Sequence, residues 1–201
     1  MKVRDSGMPD SATWEQFFDA PLVLRQVGFD DRRADVVDFG CGYGTFSIAA
    51  AQMTAGTVYA IDLDPGMVAA TAARAASLGL GNVRTVERDF DADGTGLPDR
   101  SVRFAMLFNL LHTEAPLRML REARRVLAPG GKLAIIHWVH DAATPRGPEL
   151  GIRPSPEQCR GWLGQVGFAI LVPFIALPPY HFGLTGTLPY HGLPPASAAN
   201  N

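Results

Sequence analysis

The segment VVDFGCGYGTFSIAAA, residues 36–51, carries glycines at alternate positions: Gly40, Gly42 and Gly44. Glycine is costly in regular structure because its freedom in the unfolded chain is lost on folding. Three in close succession indicate either a tight strand-to-helix turn or a backbone that comes close to a ligand. Since a single glycine would satisfy the turn, the pattern favours the ligand. The segment lacks the Lys-Ser/Thr pair of a phosphate-binding loop and the G-x-G-x-x-G spacing of dinucleotide sites. Since it also carries no basic residue, we expect a ligand without phosphate groups.

An acidic residue follows the next apolar segment, VYAIDLD. Asp62 lies about 20 residues after the glycine loop, where a carboxylate can accept hydrogen bonds from ribose hydroxyls. The alternative is that Asp62 caps the following helix, but Asp64, directly before Pro65, fits that role better. The pattern therefore favours a ligand that contains a ribose.

Apolar segments alternate with helical patterns along the chain, which is typical of a parallel sheet covered on both faces. We predict strands within residues 34–40, 56–63, 82–90, 101–111, 132–139, 168–177 and 180–188. We predict helices within residues 45–53, 65–80, 115–131 and 154–168, the third stopping at Pro129-Gly130-Gly131 and the fourth starting with a capping box of Ser155 and Gln158. A glycine loop between a strand and a helix then lies at the carboxyl edge of the sheet, where ligands of such folds bind.

The chain divides into three parts. Residues 1–33 are predicted as a helical segment in which Trp14, Phe17 and Phe18 share one side. That side either packs on the flank of the sheet or acts as a lid over a ligand. Residues 34–188 form the main domain, and residues 189–201 are predicted as a disordered tail.

Bulk properties exclude several classes of function. The formal net charge is −2, and no basic stripe with interleaved aromatic residues indicates nucleic acid. No signal peptide or membrane-length apolar run is present, so we expect a cytoplasmic protein without a membrane partner. Cys41 and Cys159 are too few and too far apart for a metal cluster, so we expect free thiols and no metal.

Four motifs in register resemble the class I S-adenosylmethionine-dependent methyltransferases. They include VVDFGCGYGTFSIAAA, VYAIDLDPGMV and LHTEAPLRMLREARRVLAPGGKLAIIHW, the last similar to the family's segment from the end of strand four through strand five. The resemblance runs from about residue 34 to residue 188 and is strongest to small ubiquinone/menaquinone-biosynthesis-like, or type 11, methyltransferases. It implies a Rossmann-like, doubly wound, mostly parallel seven-stranded sheet with helices on both faces and an antiparallel last strand. That strand, for which residues 180–188 are the candidate, is inserted between strands five and six.

The resemblance also implies S-adenosylmethionine as the cofactor, with S-adenosylhomocysteine as the product. Each cofactor-binding residue follows from a match to a family motif. By this match, the methionine part of the cofactor is expected to contact Asp38, Gly40, Cys41, Gly42 and Gly44, and the ribose is expected to contact Asp62. The adenine is expected to contact Leu63, Asp89 and Phe90, and the transferring methyl is expected to lie above Asn109 and Leu110. Two departures stand out: Tyr43 replaces a small residue, and NLLHTE after strand four lacks the N-P-P-[YF] signature of amino and amide nitrogen targets.

Methyl transfer from a sulfonium is a direct displacement, so a base is needed only if the acceptor atom holds a proton. His112 and His140 follow strands four and five at the carboxyl edge and are the candidate catalytic residues, since histidine titrates near neutral pH. His137, inside strand five, is predicted as a hydrogen-bonded core histidine, and His181 lies in the last strand.

The acceptor is expected to be a small molecule, because the chain has no large inserted substrate domain. The N-terminal segment and the loop VHDAATPRGPELGIRPS are the candidate walls of its pocket. Two other classes stay open. A non-catalytic cofactor-binding subunit would have a blocked acceptor pocket. A nicotinamide-dependent oxidoreductase would show G-x-x-G spacing and a catalytic Tyr-x-x-x-Lys, and only Lys2 and Lys132 are present here.

Overall fold

The computed structural model describes residues 10–141 and 143–190. Its strands are β1 (Val36–Phe39), β2 (Val58–Asp62), β3 (Val83–Glu87), β4 (Val102–Phe108), β5 (Leu127–Trp138), β6 (Ala169–Leu177) and β7 (His181–Thr187). Its helices are α1 (Ser11–Glu15), α2 (Ala20–Gln26), α3 (Thr45–Met53), α4 (Pro65–Ser77), α5 (Phe90–Asp93), α6 (Pro116–Val126) and α7 (Pro156–Gln165), with a short 3-10 helix at Leu150–Ile152. None of the helices within these ranges has the length and apolar character that a membrane crossing requires.

The strands form one seven-stranded sheet in the order β3-β2-β1-β4-β5-β7-β6. The pairs β1–β2, β1–β4, β2–β3 and β4–β5 are parallel. β7 is antiparallel to both of its neighbours, β5 and β6. The predicted fold class is therefore confirmed, including the insertion of the last strand.

Helices cover both faces of the sheet, as predicted. On one face, Phe39 and Ile135 pack in the same apolar cluster as Leu120 of α6 and Leu163 of α7. On the other face, Val36, Met106 and Ile136 join a cluster with Leu24 of α2 and Ala50 of α3. Because both faces are buried, the polar groups of the domain that can meet a ligand are concentrated at the strand ends.

The boundary between α6 and β5 differs from the prediction. The helix ends at Val126, and Leu127 already has an extended conformation and pairs with Val102 of β4. The Pro129-Gly130-Gly131 segment lies inside an irregular part of β5, between the pairs Val102–Leu127 and Phe104–Lys132. The glycine with positive φ, Gly130 at +75°, accommodates that irregularity. The helix pattern extended too far because Leu127 continues the apolar spacing of α6.

The N-terminal segment forms two short helices rather than one. Asp10 caps α1 and Asp19 caps α2, each through its carboxylate. Phe17 and Phe18 therefore lie in the turn between the helices, and Trp14 lies in α1. At the other terminus, residues 191–201 of the predicted tail lie outside the described residues.

Candidate functional site

The glycine loop has left-handed backbone at all three glycines, with φ of +67° at Gly40, +53° at Gly42 and +76° at Gly44. Neighbouring side chains explain in part why glycine occupies these positions. A Cβ on Gly40 would lie 3.0 Å from a methyl carbon of Leu110, and a Cβ on Gly44 would lie 2.8 Å from Thr71. Close approach to a ligand is therefore not the whole reason for the three glycines, since two of them also make room for neighbouring side chains.

Asp62, at the end of β2, holds the glycine loop in place. Its carboxylate accepts hydrogen bonds from the backbone N–H of Gly42 at 2.8 Å and of Asp64 at 3.0 Å. Thr71 of α4 supports the same loop, because its hydroxyl donates to the carbonyl of Gly42 at 2.9 Å. Each carboxylate oxygen has a further lone pair, so Asp62 can accept from a ligand while it holds the loop. Asp64 caps α4, as predicted, through a bond from Gly66.

Asp38 is a buried carboxyl group in β1, close to the glycine loop. It accepts a 2.5 Å hydrogen bond from the hydroxyl of Ser47 in α3. Burial raises the pKa of Asp38 to about 7, Ser47 opposes the rise, and the charge of Asp62 adds to it. A cation placed nearby would favour the ionised form. Burial also raises the pKa of the Cys41 thiol, so this residue packs as a neutral group.

The end of β3 lies beside the end of β2, at the carboxyl edge of the sheet. The backbone N–H of Arg88 donates to the carbonyl of Asp62 at 2.8 Å. Asp89 then caps α5, accepting from Asp91 at 3.1 Å and from Ala92 at 3.0 Å. The next residue, Phe90, packs edge-on against Phe39 of β1 with 5.4 Å between ring centroids.

Asn109, directly after β4, is a strained and unsatisfied residue. Its φ is +59°, and its backbone N–H donates to the carbonyl of Ile136 at 2.7 Å. The side chain is buried, and both its oxygen and its nitrogen lack a hydrogen-bond partner. A buried amide without partners is costly, so its presence at this edge points to a ligand.

The two predicted catalytic histidines lie in different environments. His112 is buried, and its Nδ1 lies 3.3 Å from Nε2 of His137 in β5. Burial and His112 lower the pKa of His137 well below its ordinary value, so His137 is neutral. The prediction of His137 as a hydrogen-bonded core histidine is therefore confirmed. His140 is exposed, two residues beyond the end of β5.

Sequence reasoning missed an aromatic cluster around His181. We use the term aromatic cluster for Trp14, Phe17, Phe18, Trp138 and Tyr180. The His181 ring centroid lies 4.2 Å from that of Trp138, 4.6 Å from that of Phe18 and 6.0 Å from that of Trp14. A signal existed: because β7 is antiparallel, its first residue lies at the carboxyl edge of the parallel strands, beside Trp138.

Arg153 organises the loop between β5 and α7. Its buried guanidinium donates to the carbonyls of Val139 at 3.0 Å and Pro148 at 2.7 Å, and to the hydroxyl of Thr144 at 2.7 Å. It also lies over the Trp138 ring, 5.7 Å from the centroid. The loop is therefore built around a charged group that its own carbonyls satisfy.

Comparison with known proteins identifies the fold family. A family model described as "Methyltransferase domain" matches residues 36–131. A crystal structure of a SAM-dependent methyltransferase from Aquifex aeolicus has a TM-score of 0.78 and 28% identity, covering 89% of this chain and 94% of that chain. The matched family model and this solved structure are those of class I S-adenosylmethionine-dependent methyltransferases, whose cofactor is S-adenosylmethionine.

Two curated methyltransferases are similar over a shorter length. The ribosomal protein L11 methyltransferase of Methylococcus capsulatus is 37% identical over 143 residues, 69% of this chain and 46% of that protein. The nocamycin O-methyltransferase of Saccharothrix syringae is 36% identical over 130 residues, 62% of this chain and 45% of that protein. The chain thus spans about half the length of these curated methyltransferases, whose names indicate different kinds of acceptor.

Proposed function

We propose that this chain transfers the methyl group of S-adenosylmethionine to a small-molecule acceptor by direct displacement. The observation that carries the proposal is the hydrogen-bonded contact between the loop after β1 and the end of β2. Gly42 and Asp62 are held together by a 2.8 Å hydrogen bond, with the partnerless amide of Asn109 after the adjacent strand, β4. A ribose-binding carboxylate, a glycine backbone and an unpaired amide suit a ligand that combines a nucleoside with an amino acid.

The proposed contacts follow the order of the strands. Asp38, Gly40, Cys41, Gly42 and Gly44 surround the methionine part, Asp62 accepts from the ribose hydroxyls, Leu63, Asp89 and Phe90 hold the adenine, and Asn109 and Leu110 lie beside the methyl group. The residues present fit this ligand, because Asp38 and Asp62 supply negative charge for a group that carries a sulfonium and an ammonium. Asp89 keeps acceptor capacity beyond its two capping bonds.

When bound, the cofactor supplies a methyl group that is already activated, so the chain mainly has to align the acceptor and exclude water. His112 is proposed to take the acceptor's proton where one must leave. Its neighbour His137 is neutral and fully buried, so it orients the His112 ring without adding charge. His140 is exposed and is proposed for contact with the acceptor at the rim.

A small acceptor is favoured over a protein because the chain covers its own carboxyl edge. Trp14 of α1 is 7% exposed, and its ring lies 6.3 Å from that of Trp138 at the end of β5. Arg153 fixes the loop after β5 through hydrogen bonds to the carbonyls of Val139 and Pro148. The similarity to a ribosomal protein methyltransferase leaves more than half of that protein unmatched, because the alignment covers 46% of it. We also propose a cytoplasmic location and no nucleic-acid partner.

Calorimetry with S-adenosylmethionine, S-adenosylhomocysteine and NAD tests the cofactor assignment. We expect the first two ligands to bind and NAD not to bind. Binding of NAD alone would contradict the proposal and favour a nicotinamide-dependent oxidoreductase. Tight binding of S-adenosylmethionine without methyl transfer to any member of a metabolite panel would favour a non-catalytic subunit instead.

Replacement of the histidines tests the chemistry once an acceptor is found. His112→Ala should lower turnover by about 10²–10⁴-fold, the range typical of general base catalysis, and should change the pH profile. His140→Ala is the matched control, since His140 is exposed and should mainly raise KM. Turnover of His112→Ala that equals wild type at every pH would remove His112 from the mechanism.

A further inference from the structure

His181, like Asn109, is a buried polar side chain at the carboxyl edge whose polar atoms have no partner. It is 3% exposed, and neither ring nitrogen has a hydrogen-bond partner. A buried polar group without a partner costs stability, and two such atoms on one ring cost more. Packing alone does not explain this residue, because phenylalanine would fill a similar space without the cost.

The surroundings of His181 select its protonation state. Burial and, to a smaller extent, the charge of Arg153 together lower the pKa of His181 to about 3. The ring is therefore neutral at physiological pH, with one nitrogen as a donor and the other as an acceptor. A hydroxyl group has the same pair of capacities, so it can bond to either nitrogen in either tautomer.

The rings around His181 select the rest of the ligand. The ring centroids of Trp138, Phe18 and Trp14 lie 4.2–6.0 Å from that of His181, so its immediate neighbours are aromatic and apolar. Arg153 places a positive charge beside Trp138, which disfavours a cationic ligand. The Arg153 donors already meet backbone carbonyls, so an anion gains little direct hydrogen bonding there.

Contacts between rings connect this region with the proposed cofactor site. Phe18 packs 5.2 Å from Phe46, which is in the first turn of α3 after the glycine loop. Phe46 in turn packs 4.7 Å from Phe108, the residue before Asn109. A ligand on His181 would therefore lie beside the strand ends that we propose for methyl transfer.

We infer that His181 is an acceptor-positioning residue that hydrogen-bonds a hydroxyl group of an uncharged, planar molecule held by the aromatic cluster. The inference rests on the proposed function for the reaction itself, and it adds the chemical class of the acceptor. The hydroxyl is the group that is recognised, whichever atom receives the methyl group. The N-terminal segment contributes Trp14 and Phe18 and so forms one wall of the acceptor site.

Calorimetry with three probes tests the inference on the full chain saturated with S-adenosylhomocysteine. The probes are 4-hydroxyacetophenone, acetophenone and benzylammonium, which differ in the hydroxyl group and in charge. We expect 4-hydroxyacetophenone to bind more tightly than acetophenone by up to about tenfold, as one net buried hydrogen bond allows. Benzylammonium should bind more weakly than both.

Variants of His181 separate recognition from packing. His181→Phe should remove the preference for the hydroxyl probe and leave acetophenone binding unchanged, while His181→Gln, which keeps a donor and an acceptor, should retain part of the preference. Equal binding of the two acetophenones by wild type would overturn the inference without any variant, as would stronger binding of benzylammonium. Failure of S-adenosylhomocysteine to bind would instead count against the proposed function, because that step precedes every probe.

Discussion

The contact between Gly44 and Thr71 makes a sharp test of the loop geometry. Gly44 caps α3 with φ of +76°, and an added Cβ would lie 2.8 Å from two atoms of the Thr71 side chain. Gly79, just after α4, has φ of +67° and no neighbour within 4 Å of its added Cβ. The two positions therefore share the backbone conformation and differ in the space available.

The expected magnitudes follow from these geometries. A left-handed conformation costs an alanine about 1–2 kcal/mol, a term common to Gly44→Ala and Gly79→Ala. Overpacking against Thr71 adds about 1–3 kcal/mol to the first variant alone. We therefore expect Gly44→Ala to lower the free energy of unfolding by about 2–5 kcal/mol and Gly79→Ala by about 1–2 kcal/mol.

Urea unfolding followed by circular dichroism measures both changes. The m-value should stay constant, so that the difference appears in the midpoint. Gly44→Ala should also weaken S-adenosylhomocysteine binding, because Thr71 donates to the carbonyl of Gly42 in the same loop. Equal losses of stability in the two variants would refute the reasoning, since they would show that the close approach to Thr71 costs nothing.

Three further predictions concern carboxylates. Asp62→Asn should weaken S-adenosylhomocysteine binding about tenfold or more, since a bond to a charged acceptor contributes about 1.5–3 kcal/mol. Asp64→Asn is the matched control, because Asn also caps a helix well and should leave the affinity nearly unchanged. Similar affinities of the two variants in calorimetry would contradict this. Burial raises the pKa of Asp38 from 3.8 to about 7. The free energy of unfolding should therefore fall as pH rises between these values, by at most about 1.4 kcal/mol per pH unit. Urea titrations of Asp38→Asn should show a smaller dependence on pH over this range. Burial alone would raise the pKa of Glu122, but hydrogen bonds from Arg125 and Thr95 lower this pKa to about 2. The stability that Glu122 contributes is therefore complete above its ordinary pKa of 4.5 and is lost as pH falls towards 2. The difference in the free energy of unfolding between wild type and Glu122→Gln should shrink over that pH range.

Local signals in the sequence predicted most of the fold. The bounds of α3, Thr45–Met53, match the helix predicted from the alanine-rich run after Gly44. The capping box of Ser155 and Gln158 at the start of α7 is present with both of its hydrogen bonds. Such features depend on residues within one turn of each other, so they can be predicted from a short stretch of sequence. The placement of β7 between β5 and β6 came from family resemblance, because no local signal indicates it.

Contacts between distant segments explain what could not be predicted. The neighbours of His181 come from Trp14, Phe18 and Trp138, and only the folded sheet brings these together. Gly44 was attributed to ligand approach, yet its neighbour Thr71 belongs to the next helix. The roles of the site residues remain predictions that the binding experiments above address.

The strand order has a consequence for how the domain is assembled. β7 lies between β5 and β6, so the edge of β5 has no strand beside it until residues His181–Thr187 have been synthesised. An unpaired edge is open to association with other chains, and contacts this distant in sequence form slowly. His181, at the start of β7, reaches Trp138 only once β7 has paired with β5. We therefore expect completion of the sheet and formation of the proposed acceptor wall to occur together, late in folding.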